Sequence, residues 1–269
     1  MAVDKNLFLY DLAVVAIMKN EGPYIKEWLD YHLLAGVNHF YIYDNESPDN
    51  MKEILQPYIE RGLVTYTFYP GKCRQVEAYN EAVQKYRFFC RYMTFLDGDE
   101  FIFPQGNKSI VEVVDEILSD KPQCGGIAIN WRMFGSNHQD KADYSRGVLE
   151  RFTHRADELH ASVKTIANPR QINYLDTPHY AHYFLGLTTL YDCSDKIVIN
   201  HYQLKSREEF FIKTQNCSDA AYGNDDYYSM SRFSHDKNND VFDDSILIYK
   251  KSRQHAKNRG GAEINTGEY

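Results

Sequence analysis

Four short apolar segments, each closed by polar residues and followed by a helical pattern, constrain this chain more than any other feature. Leu12–Lys19 (LAVVAIMK) is a nearly continuous apolar run, as expected of a strand covered on both faces. Ile25, Trp28, Leu29, His32 and Leu33 then recur at helical spacing behind Gly22-Pro23, a helix start. Phe40–Tyr43 predicts a second strand ending at Asp44-Asn45, and Pro48–Arg61 a helix that stops at Gly62. Val64–Tyr69 predicts a third strand, Val76, Tyr79, Val83 and Tyr86 a helix, and Tyr92–Leu96 a fourth strand running into DGDEF. A strand–helix repeat of about 25 residues builds a parallel sheet with right-handed crossovers. Ligands in such sheets bind outside the carboxyl ends of the strands. That rule sets Asn20-Glu21, Asp44-Asn45, Lys72 and Asp97–Asp99 along one edge.

Ile110–Leu118 predicts a further helix and Gly126–Trp131 a further strand; beyond it the pattern loosens. Phe134–Arg146 is polar and turn-rich and is expected to be a mobile lid. Short mixed segments follow at Val163–Ile166, His179–Phe184 and Lys196–Tyr202, then a charged tail of helical pattern from Ser206 with a Gly-rich, frayed end at Lys257–Tyr269.

The net charge of -8 offers no basic stripe to a nucleic acid, and it implies that a pyrophosphate would need a cation beside it. Cys73, Cys90, Cys124, Cys193 and Cys217 are odd in number and lack CxxC spacing, which suggests a reducing compartment. The first residues do not resemble a signal peptide, and no window approaches the ~20 apolar residues of a membrane span. A cytoplasmic protein, at most peripheral at the inner membrane face, is the expectation. The 22 tyrosines suit core edges and sugar-binding clefts equally.

Asp97 and Asp99 are the sharpest candidates. An aliphatic strand delivers both, and two close carboxylates repel unless a cation or proton intervenes. Mg²⁺ and Mn²⁺ prefer such oxygen ligands and share them with substrate phosphates. A solvated acidic turn is the plain alternative.

The run Ala16–Asn45, YNEAVQKY from Tyr79, DGDEF, Trp131–Ser136 (WRMFGS) and INHYQLKSREEF from Ile199, in that order, resemble the family-2-related and family-92-like glycosyltransferases over roughly residues 10–215. The resemblance implies a GT-A fold, α/β with a mostly parallel central sheet flanked by helices. Residues 1–205 would be the catalytic domain and 206–269 a helical C-terminal extension packed on it. It implies a nucleotide-sugar donor (UDP-linked by family precedent), a glycan or lipid-linked acceptor, Mn²⁺ or Mg²⁺, and an inverting transfer. An enzyme of surface polysaccharide or lipopolysaccharide synthesis is the expected setting.

Carried over by position, Asn20, Glu21, Asp44, Asn45, Gln75 and Asn80 would line the nucleotide. Asp97 would reach the ribose, or the metal through water; Asp99 would be the direct metal ligand, and His201 would complete its shell. Asp44 reads equally as an Asx-turn before Pro48, Asn80 as a helix-surface amide and His201 as a core histidine. An inverting transfer also needs a base. Asp140, Asp143, Glu150 and His154 are candidates, with Glu150 first, although the paired acidic motif of related enzymes is missing here. Lys164 and Arg170 suit the diphosphate or surface salt bridges, and His179 and His182 acceptor contacts, packing or a second metal pair. Two other classes compete. A nucleotidyltransferase would show a Gly- and Lys/Arg-rich phosphate loop, absent from KNEGP after the first strand, and a sugar-nucleotide-binding protein would need no metal.

Overall fold

A computed structural model describes residues 7–216, 230–234 and 236–263. Cys217 and the terminal stretches 1–6 and 264–269 lie outside them. The repeat read from the sequence is β1 (Tyr10–Met18), α1 (Gly22–Ala35), β2 (His39–Asp44), α2 (Met51–Glu60), β3 (Val64–Phe68), α3 (Gln75–Tyr86) and β4 (Cys90–Phe95). These four strands are parallel in the order β3-β2-β1-β4. The second half adds β5 (Glu100–Pro104), α4 (Ile110–Leu118), β6 (Cys124–Met133), α5 (Val148–Arg151), β7 (His154–Arg155), β8 (His160–Ala167), β9 (Ile172–Leu175), β10 (Ala181–Tyr183), β11 (Thr188–Leu190) and β12 (Ile197–His201). The C-terminal part holds α6 (Arg207–Asn216), α7 (Met230–Ser234), β13 (Val241–Phe242) and α8 (Ser245–Glu263).

The sheet continues β4-β8-β6-β12-β5, with β8 and β5 running against the other strands and β11 paired to β6. The architecture is α/β with a mostly parallel sheet, as expected. Alternation along β1 feeds two cores. Leu12, Val14, Ala16 and Met18 pack with Trp28, Leu29 and Leu55 of α1 and α2. Ala13, Val15 and Ile17 pack with Ala78, Tyr79 and Val83 of α3 on the other face. Helices therefore cover both faces, and the strand order reverses between β1 and β4.

Two departures have local causes. The helix expected from Pro48 starts at Met51 because Asp44 and Asp49 accept backbone N–H groups of Ser47 and Met51 and keep that stretch in turns. β5 was not separated from the DGDEF turn, yet it doubles back as the edge strand beside β12. Among the described residues no helix is long and apolar enough to cross a membrane.

One face of α1 ties β5 down. The Trp28 indole N–H donates to the Glu100 carbonyl (2.8 Å) and the Tyr31 hydroxyl to the Ile102 carbonyl (2.8 Å). His32 Nδ1 bonds the Trp28 carbonyl (2.8 Å), and its Nε2 accepts the Ile102 N–H (3.2 Å). The ring is therefore neutral, because a second proton would meet an N–H. Burial lowers its pKa to about 3 against the pull of the Trp28 carbonyl. Burial also lowers His39 to about 4, against the Gly62 carbonyl. Both folded values lie below the unfolded value of about 6.5, so protons favour the unfolded chain once pH drops through that value. Each histidine is expected to contribute a stability loss of about 1.4 kcal/mol between pH 7.5 and 5.5. Glu21, which burial raises to about 7, contributes in the opposite sense over the same window, so the test is the part of the urea-unfolding slope that His32→Asn and His39→Asn remove. Variants that keep the wild-type slope would contradict these assignments.

Candidate active site

The turn Asp97–Asp99 sits where β4 ends beside β1, at the reversal of strand order, the position where open α/β sheets bind ligands. Its geometry is set locally. Glu100 N–H bonds the Asp97 carbonyl (3.2 Å), and the Glu100 carboxylate accepts the Asp97 N–H (3.0 Å). A Cβ at Gly98 would lie 2.9 Å from the Glu21 carboxyl carbon, so a side chain there would push the Glu21 carboxylate aside. The loop after β1 thus closes directly on the turn.

Sheet register brings His201 to the same point. His201 lies opposite Glu100 on β5 and Met133 on β6, and Tyr202 N–H bonds the Asp99 carbonyl (2.9 Å). His201 Nε2 is 3.2 Å from Asp99 Oδ1, and Lys213 Nζ of α6 is 2.7 Å from Asp99 Oδ2. Burial opposes ionisation of Asp99, but the Lys213 ammonium and the His201 ring outweigh it and hold the carboxyl well below the usual range. Asp97 is engaged differently. Gln75 Nε2 donates to its Oδ1 (2.6 Å) and buried Lys164 to its Oδ2 (3.0 Å). Burial would discharge Lys164, but Asp97 and then Glu100 (3.6 Å) raise its pKa and keep it an ammonium. Burial pushes Glu100 well up and Glu21 up to about 7, Lys205 opposing the latter shift.

Several buried polar atoms around the turn have no protein partner: Asn20 Oδ1, Glu21 Oε2, Glu100 Oε1, His201 Nδ1 and Trp131 Nε1. The Trp131 ring lies 4.4 Å from His201 and packs against His160 and His179. Buried polar groups are normally bonded, so this cluster has unmet capacity for a polar ligand or water. Among the described residues, no group of three or more His, Cys, Asp or Glu side chains is arranged to hold a metal.

The expected site residues divide into two sets. Asn20 (left-handed, φ 60), Glu21, Gln75, Asp97, Asp99 and His201 belong to or border this cluster. The other set is committed to the fold. Asp44 accepts from Ser47 N–H (2.9 Å) and the Tyr66 hydroxyl (2.7 Å), the Asx-turn alternative. Asn45 donates to the Tyr69 and Gly71 carbonyls. Asn80, expected to face the nucleotide, instead braces β9: its amide donates to Val76 and Leu175 carbonyls and accepts the Leu175 N–H. Arg170 donates to the Cys90 carbonyl and stacks on Phe8. His179 bonds the Val163 carbonyl, whereas His182 pairs with Asp176 (2.9 Å).

Glu150 is exposed on α5, with no bond to the acidic turn; its neighbour Arg151 is buried in a two-pronged pair with Glu209 (2.7 and 2.8 Å). The stretch expected to be a mobile lid is fastened to its neighbours. Arg207 and Glu208 N–H groups bond Gln139 and Asp140 carbonyls, Gln139 donates to the Arg151 carbonyl, and Ala142 N–H bonds Glu208.

Sequence reasoning missed the cations. Lys205 is buried with its ammonium 4.3 Å over the Tyr24 ring, and Lys213 reaches Asp99 from α6. The one available signal was position: both follow INHY closely, in a segment otherwise legible as a solvated charged helix.

The sequence profile described as glycosyltransferase family 92 matches residues 15–246. A family 92 protein of Oryza sativa subsp. japonica is 29% identical over 206 residues, covering 75% of this chain and 34% of its own length. The chain spans about a third of the first curated relatives it matches, which are plant proteins. A galactan beta-1,4-galactosyltransferase of Arabidopsis thaliana is 32% identical over 100 residues, 34% of this chain and 19% of that protein. Among solved structures, S. aureus TarS 1-349 aligns with 96% of this chain and 75% of its own at 13% identity and a TM-score of 0.45.

Proposed function

Because the chain belongs to glycosyltransferase family 92, we propose that it transfers a sugar from a nucleotide-sugar, UDP-linked, to a hydroxyl of a glycan or lipid-linked acceptor. The donor diphosphate would lie at the Asp97–Asp99 turn. The observation that carries this reading is the meeting of Asp99 and His201, 3.2 Å apart and buried, at the switch point of the sheet. The galactan transferases among the relatives favour a polysaccharide acceptor.

A divalent cation, Mn²⁺ or Mg²⁺, suits this donor set through Asp99 Oδ1 and His201 Nε2. In this structure Nε2 faces the Asp99 carboxylate, so holding a cation there would require the ring proton to sit on Nδ1, which has no partner among the described residues. With only two such side chains, diphosphate oxygens and water would supply the remaining ligands, the usual arrangement for Mg²⁺ at phosphates. When bound, the cation neutralises charge on the leaving nucleoside diphosphate.

The protein's own groups do the positioning. Gln75 and Lys164 fix the Asp97 carboxylate, which is then oriented to accept a ribose hydroxyl or hold a water. Asn20 and Glu21 close the nucleotide side of the turn. Trp131, buried with His160 and His179 packed on it, holds the His201 ring in place beside the turn. Inversion at the anomeric carbon follows from the resemblance, and Glu150 is the group to test as the base.

The test is hydrolysis and transfer across a panel of nucleotide sugars with Mn²⁺, on the wild-type protein and Asp99→Ala. Donor consumption that needs the cation is expected, falling at least about 10²-fold in the variant, the size seen when one transition-state electrostatic contact is removed. Equal activity in the variant would sink the assignment of Asp99. Metal-independent binding without turnover would leave a sugar-nucleotide-binding protein.

A further inference from the structure

Lys213 occupies an unusual place for a lysine. Its ammonium is 2.7 Å from the one oxygen of Asp99 that His201 does not face. It is not carried there by a loose side chain on a free helix. Four residues earlier on α6, Glu209 is locked to Arg151 by two hydrogen bonds, accepts the Ser206 N–H (3.1 Å) and hydroxyl, and receives the Tyr24 hydroxyl (2.9 Å). Residues four apart lie on one face of a helix, so the hub that fixes Glu209 also aims Lys213 at the turn. The first turn of α6 is tied in addition to the Gln139 and Asp140 carbonyls.

The charge balance gives this placement a meaning. Asp97, Asp99, Glu100 and Glu21 meet at the turn, and Lys164, Lys205 and Lys213 lie among them. Lys164 belongs to Asp97 and Lys205 rests on Tyr24, so Lys213 is the cation that neutralises Asp99. Without it, no lysine among the described residues would contact the buried Asp99 carboxylate, and Lys205 would act on it only from a distance.

We infer that Lys213 is the resident counter-ion of Asp99, holding the place that a divalent cation takes when it arrives with the donor's diphosphate. The inference rests on the donor-site reading above. An ammonium and a dication sharing one carboxylate repel each other, so metal alone binds against Lys213. A nucleoside diphosphate removes the conflict, because its phosphate oxygens accept the displaced ammonium. Metal and nucleotide then bind as a coupled pair, each strengthening the other by the same factor.

The experiment is a Mn²⁺ titration read by the electron paramagnetic resonance of free Mn²⁺, with and without UDP, on the wild type, Lys213→Met, Lys213→Arg and Asp99→Asn. In the wild type, UDP should tighten Mn²⁺ binding by roughly tenfold or more. Lys213→Met should bind Mn²⁺ alone more tightly than wild type by a similar factor and lose most of the coupling to UDP. Lys213→Arg, which keeps the charge, should resemble wild type.

Unchanged Mn²⁺ affinity in Lys213→Met would overturn the inference. So would a wild type whose Mn²⁺ affinity is indifferent to UDP, a result that stands even if Lys213→Met does not fold. Asp99→Asn separates the two levels. If it abolishes Mn²⁺ binding while Lys213→Met changes nothing, the metal assignment stands and only the counter-ion role fails. If Asp99→Asn binds Mn²⁺ as the wild type does, the donor-site reading fails with it.

Discussion

Arg151→Met is expected to destabilise the protein by about 3–5 kcal/mol, the usual cost of leaving one partner of a buried ion pair uncompensated. Both side chains of the Arg151–Glu209 pair are about 1% exposed. Burial alone would raise the Glu209 pKa, but hydrogen bonds from Arg151 and Ser206 outweigh it and lower the value to about 2. A carboxylate held that far below its ordinary value stays charged in the folded protein, so removing the guanidinium strands the charge. Equilibrium urea unfolding measures the effect. Glu209→Leu added to Arg151→Met should recover part of the loss, because an apolar pair needs no compensation. A single variant within 1 kcal/mol of wild type would mean that water or another cation already serves Glu209. The sign also predicts acid lability: the pair contributes fully above pH of about 4.5, and its contribution is lost as pH falls towards 2.

The second large effect is at Lys164, about 1% exposed and bonded to Asp97. Lys164→Met removes the cation shared by Asp97 and Glu100; the Asp97 side chain is 35% exposed and its carboxylate can be hydrated, so the expected cost is smaller, about 1–3 kcal/mol. It differs from Arg151→Met in a second readout. Asp97 would lose one of its side-chain anchors, so nucleotide binding should weaken directly, whereas Arg151→Met reaches the turn only through α6 and Lys213. UDP titration by calorimetry on both variants decides this. Equal UDP affinity in Lys164→Met and wild type would show that Asp97 does not depend on Lys164 for its orientation.

How much of this was legible in the sequence depends on the range of the interaction. β1 to β4 were readable because each is a near-continuous apolar run between helices, a pattern set by local burial on both faces. The acidic turn followed, since Asp97 and Asn20-Glu21 are fixed by where those strands end. The bonds of Asn80 to β9 were not legible because helical periodicity gives a face but not the neighbour. Nothing local says that β9 would pair its backbone with that amide. β8 and β5 lack any signal of direction, since an antiparallel strand reads the same as a parallel one when both faces are covered. Lys164 read equally as a diphosphate ligand or a surface salt bridge, and Lys213 looked like an ordinary surface charge. Only their distance to Asp97 and Asp99, across 67 and 114 residues of chain, reveals otherwise.

The insertion of β12 has a consequence for how the protein is made. β12 lies between β6 and β5, and its His201 sits against Glu100, about a hundred residues earlier in the chain. The edge that carries Asp97 is built from β1–β4, but the half that carries His201 and Lys213 cannot exist until β12 has entered the gap between β6 and β5. Loop closure over that distance is slow. On a ribosome, the acidic turn at the end of β4 is therefore made well before the His201 and Lys213 side chains that complete its surroundings.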